Sequence, residues 1–96
     1  VTVPSIQMLH TFDHGAALAH YERSIARIEA RFGASHPSLA GLHSSAAGEL
    51  CQLGRYAAAM KSAEQAIALS NLAGNYGEIF DEAQRVLARA RARVYP

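Results

Sequence analysis

The chain has 96 residues, half of them apolar, with nine Lys and Arg against eight Asp and Glu and a formal net charge of +1. That length predicts one small domain over 1–96, and the balanced charge gives no whole-molecule attraction to nucleic acid or to an anionic membrane. One cysteine excludes an internal disulfide and fits a reducing, cytoplasmic setting, and no apolar run reaches the ~18 residues of a membrane span.

In chain order, the pattern predicts five helices. Pro4 suits the first turn of a short helix over 4–11, where its missing N–H costs nothing. Asp13 is an N-cap candidate for a second helix over 14–31, whose Ala17, Leu18, Tyr21, Ile25 and Ile28 form one stripe, and Gly33 ends it. Ser35 is the expected cap of a third helix, with Pro37 in its first turn, running to Leu53 and stopped by Gly54. A fourth spans 56–72. Gly74-Asn75-Tyr76-Gly77 breaks the chain before a fifth over 78–94. No segment alternates at period two, so no strand is expected.

Sliding the sequence by 42 residues lays Ala16-Ala17 on Ala58-Ala59, and Glu22, Ile25 and Ala26 on Glu64, Ile67 and Ala68, without a gap. A fixed period of this size is characteristic of stacked helical arrays, in which each unit buries its apolar side against its neighbours. Tyr21, Arg23, Ala26, Glu29, Phe32-Gly33, His36-Pro37, Ala40, Ala47, Gly54-Arg55-Tyr56, Ala59, Ala66 and Ala68 carry the pattern. Over about half the chain, from Tyr21 to Leu69, these residues resemble the tetratricopeptide repeat, in its long variant typified by the kinesin light chain. The resemblance implies an all-α antiparallel stack of helix pairs, about two and a half units here. It also implies a concave groove that takes peptides or partner proteins. Ala47, Ala59 and Ala66 fall where the repeat needs small side chains, and Tyr56 where a ring wedges between paired helices.

Carried over to this chain, the groove positions of the resemblance are Gly41, Ser44, Gly48, Cys51 and Gln52 on the third helix, with Gln84 and Arg91 beside them from the last. Kinesin-light-chain repeats usually show an Asn pair where this chain has Ser44-Ser45, and Ser reaches less far and makes fewer hydrogen bonds. With no Lys or Arg among those third-helix positions, a clamp for a peptide carboxylate is not supported. A groove floored by small residues admits a helix or a close-packed neighbouring chain. The same residues could equally pack against an adjacent repeat.

The five histidines do not form a metal or catalytic pattern. His10 and His14 are separated by a helix boundary, His36 belongs to the His-Pro turn, and His43 falls on an inward position suited to packing. Cys51 lies two helical turns from His43, too far for an activated thiolate, and no catalytic motif occurs. The last helix carries Arg85, Arg89 and Arg93 at intervals of four, but Glu78, Asp81 and Glu82 open it. Acids first and bases last is what the helix dipole favours, and Glu82 or Asp81 can pair with Arg85. No aromatic residues interleave with the arginines, which argues against nucleic acid.

The reading is therefore a non-enzymatic protein–protein interaction or scaffold module, without cofactor or metal, binding a peptide or partner protein. The alternative is a self-associating helical domain that forms a homodimer. The chain opens at Val1 and not at Met, as expected of a fragment of a larger regulatory or signalling protein, and its Ala- and Arg-rich composition points to a high-GC bacterial source.

Overall fold

A computed structural model describes residues 13–94 and is all-helical over that span. Its helices are α1 (His14–Phe32), α2 (Leu39–Gln52), α3 (Tyr56–Ala73) and α4 (Glu78–Val94). The helix expected over 4–11 lies outside the described residues, so four of the five expected helices are on view.

Local chemistry sets each boundary. Asp13 is extended and its carboxylate accepts from the Ala16 N–H at 2.9 Å, satisfying one of the orphan donors at the start of α1. The ends of α2 and α3 share one device. Arg55 N–H donates to the Leu50 carbonyl at 2.9 Å and Gly54 N–H to Cys51 at 3.0 Å; Asn75 N–H donates to Ser70 at 2.9 Å and Gly74 N–H to Asn71 at 3.2 Å. Both are Schellman motifs, which require a residue at positive φ, and Gly54 (76°) and Gly74 (70°) supply it.

The start of α2 differs from expectation. The helix begins at Leu39, and the residue before it is Ser38, not Ser35. His36 is the cause: its Nδ1 accepts the Ser38 N–H at 3.2 Å and lies 2.7 Å from Ser38 Oγ. Leu39 and Ala40 then bond back to His36 and Pro37 over three residues. The His-Pro pair thus forms a tight turn ahead of the helix, and Pro37 lies in that turn.

Short connections make consecutive helices antiparallel. His14, opening α1, reaches Glu49 near the end of α2 at 2.7 Å, and Arg93, near the end of α4, lies over the Tyr56 ring that opens α3, 5.9 Å from its centroid. Each helix packs on its chain neighbour, and α2 also packs on α4, whereas the backbone of α1 approaches neither α3 nor α4. The α2–α4 contact is parallel, since Cys51 reaches the Val86 carbonyl and a Cβ on Gly41 would stand 3.3 Å from Ile79 Cδ1. α4 therefore crosses close to Gly41, and a larger residue there would need the Ile79 side chain to shift by a few tenths of an ångström.

The core explains how closely these helices approach. Among the described residues, 14 apolar side chains are buried, and eight of them are alanines, including Ala47, Ala59 and Ala66 with no exposure. Alanine sets no spacer between helix axes, so the packing distance falls toward the short end of the ~8–10 Å range. Leu18, Leu50, Val86 and Leu87 supply most of the apolar volume of the main cluster, and Tyr21, Ile25, Tyr56 and Ile67 close its margins.

Candidate functional site

A groove runs along the junction of α2 and α4 and is walled on one side by α1. Its first half, about 620 Å³, is lined by Gly41, Leu42, Ser38, Glu78, Ile79 and Arg85. The second half, about 470 Å³, is lined by His14, Tyr21, Gly48, Glu49, Gln52 and Arg89. Ser44, Ser45 and Glu82 belong to both, so the two halves are continuous.

Of the positions expected from the sequence, Ser44, Gly48 and Gln52 line this groove, whereas Cys51, Gln84 and Arg91 do not. Helical geometry gives the reason. At ~100° per residue, Gly41, Ser45, Gly48 and Gln52 centre on one direction of α2, with Ser44 at its inner edge and Cys51 turned further still. Cys51 is accordingly buried in the main cluster against Val86. Burial pushes its thiol up from the ordinary range, with Arg89 partly offsetting the shift, so the thiol stays protonated. Gln84 and Arg91 lie roughly 200° around α4 from Glu82 and Arg89, on the opposite flank of its buried stripe. The groove residues of α4 are instead Glu78, Ile79, Glu82, Arg85 and Arg89.

Two features of the groove floor stand out. Gly48 sits mid-helix, yet a Cβ built there would meet nothing within 4 Å. Helical glycine costs about 0.5–1 kcal/mol relative to alanine, and here no packing constraint demands it. Gly48→Ala is therefore expected to raise stability by about 0.5–1 kcal/mol in urea unfolding, and a loss of stability would reveal a contact at this site. Ser44 is the second feature. It is 4% exposed, lines both halves, and its hydroxyl makes no hydrogen bond among the described residues.

The charges of the groove are arranged along its length. Glu49 is held by His14 at 2.7 Å, and Glu82 by Arg85 at 2.6 Å. Glu78 at one end and Arg89 at the other make no hydrogen bond or salt bridge among the described residues. His43, beside Ser44 in sequence, is buried and faces away from the groove lining. Burial lowers its pKa from the usual 6.5, and the Glu29 carboxylate of α1 offsets this in part.

His43 makes stability pH-dependent. Because its folded pKa is depressed, the unfolded chain binds the proton first as pH falls below about 6.5. The stability margin over His43→Leu should therefore be largest above pH 7 and shrink between pH 6.5 and 5. Urea unfolding of both proteins across that range measures the margin, and a margin constant with pH would show that His43 charges as freely folded as unfolded.

No helix among the described residues is long and apolar enough to cross a membrane. No family model matches the chain, and no curated protein or solved structure is significantly similar to it.

Proposed function

We propose that the chain is a protein–protein interaction module of the tetratricopeptide type, working within a larger cytoplasmic protein and holding a peptide segment of its partner in the α2–α4 groove. The observation that carries this reading is the bare floor at Gly48. A helix interior that keeps glycine where alanine would fit and stabilise is explained by a ligand that approaches the α2 backbone there. The order of contacts supports the same reading: α2 touches its neighbours and also the helix two places on, as the first helices of successive pairs do in a stack.

The test is selection of random-sequence peptides on the immobilised chain. Peptides are expected to enrich, and Gly48→Trp, which places an indole in open space, is expected to fold with a thermal midpoint close to the parent's while failing to hold them. Peptides that bind Gly48→Trp as well as the parent would put the site elsewhere. A selection that enriches nothing would overturn the peptide reading.

A further inference from the structure

We infer that the groove binds an extended, charge-polarised segment: one with a basic residue against Glu78 and an acidic residue against Arg89, about five residues apart. The inference rests on the peptide-binding reading and adds the chemistry and the direction of the occupant.

Three observations lead to it. First, the groove's two inner carboxylates already have partners: Glu82 pairs with the Arg85 guanidinium, and Glu49 meets the His14 ring, which carries charge only when protonated. That leaves a carboxylate at one end and a guanidinium at the other, both on α4 and both on the groove lining. Eleven residues of helix separate them, which is about 17 Å along the axis. An extended chain covers that distance in about five residues at ~3.3 Å each. An occupant placed the wrong way round would set like charges against each other at both ends, so the two orientations differ in affinity as well as in geometry.

Second, Ser44 borders both halves of the groove, and its hydroxyl has no partner within the described residues and keeps access to solvent, so it opens into the groove. A hydroxyl that opens into the groove needs a new partner once an occupant displaces its water, and the natural one is a backbone N–H or C=O of that occupant. A helical occupant has already paired its interior backbone groups, whereas an extended one offers them along its length. Third, Ser45 and Gln52 stand on the same side of α2 and add exposed donors and acceptors along the path, while Gly48 leaves room for a backbone to come close.

The experiment uses the random-peptide selection with three proteins: the parent, the charge-swapped Glu78→Arg/Arg89→Glu pair, and Ser44→Ala. The parent is expected to enrich peptides with one base and one acid four to six residues apart in a single order along the peptide. The swapped protein is expected to enrich the reverse order. For a selected peptide, each single charge change should weaken binding about two- to fivefold at low salt, and less at high salt. Ser44→Ala should weaken binding about two- to tenfold whatever the charge order. Peptides enriched without charge order, or with an order that the swap leaves unchanged, would overturn the polarity while leaving a peptide-binding groove. Binding untouched by Ser44→Ala would overturn the extended backbone. If the parent enriches no peptide at all, the underlying reading fails and this inference with it.

Discussion

Ala47→Leu and Ala59→Leu are each expected to lower the thermal midpoint of the chain by roughly 5–20 °C. Both alanines have no exposed surface and both belong to the main cluster where α2 meets α3. Leucine adds three carbons at a point where two helix axes are held together by the smallness of their side chains. Overpacking of a filled site costs about 1–3 kcal/mol, and a domain of this size loses about 4–8 °C per kcal/mol. The two sites are close, so the double variant should depart from the sum of the singles. Ala57→Leu is the control: Ala57 is exposed on α3, about 200° around the helix from Ala59, and it should shift the midpoint by no more than a few degrees. An unchanged midpoint for both core variants, followed by circular dichroism, would mean that α2 and α3 can separate at no cost.

The same alanines show why much of the fold was legible in the sequence. Their spacing, the Gly54 and Gly74 breaks and the Asp13 cap are local signals, and each is realised locally: α3 spans Tyr56–Ala73 against an expected 56–72, and α4 spans Glu78–Val94 as expected. The start of α2 was misread because a histidine ring took the Ser38 N–H, a side-chain bond that no cap preference encodes. On α2 the expected groove positions other than Cys51 line the groove, whereas Gln84 and Arg91 of α4 do not, for a related reason. Periodicity along α4 identifies the stripe Ala83, Val86, Leu87 and Ala90 as buried. That stripe has two flanks, one carrying Glu82 and Arg89 and the other Gln84 and Arg91. Which flank turns to α2 depends on the hand with which α4 crosses back, and this is a property of the assembled stack. Gly41 held the one available hint, since a helical glycine facing Ile79 fixes where the two helices meet.

Placing α4 in this way also explains the charge pattern of the last helix. Acids in its first turn and arginines in its last suit the helix dipole, and Glu82 with Arg85 at 2.6 Å is an ordinary exposed pair worth a few tenths of a kcal/mol. Neither effect selects the groove flank, because both operate on any side of a helix. The residues that matter for recognition under the proposed function are the two charges left over, Glu78 and Arg89. They become visible as a pair once α2 and α4 are seen to share one groove.

Leu39→Ala is expected to be the most damaging single truncation in the chain, costing about 2–5 kcal/mol. Leu39 and Val86 are the largest fully buried side chains among the described residues, and Leu39 is the larger. It opens α2 directly after the His36–Ser38 turn, so its burial also fixes where that turn lies against the rest of the molecule. Leu39 has no exposed surface, so its truncation removes a fully buried side chain. A domain this small has only about 5–15 kcal/mol of stability in all. The variant should unfold at markedly lower urea concentration with an unchanged slope, as expected when the native state is weakened and the unfolded state is not. Leu72→Ala removes the same atoms from a side chain that is 71% exposed, and should cost no more than about 0.5 kcal/mol. Equal losses for the two variants would show that Leu39 is not held in the core, and the packing of α2 described above would then be wrong.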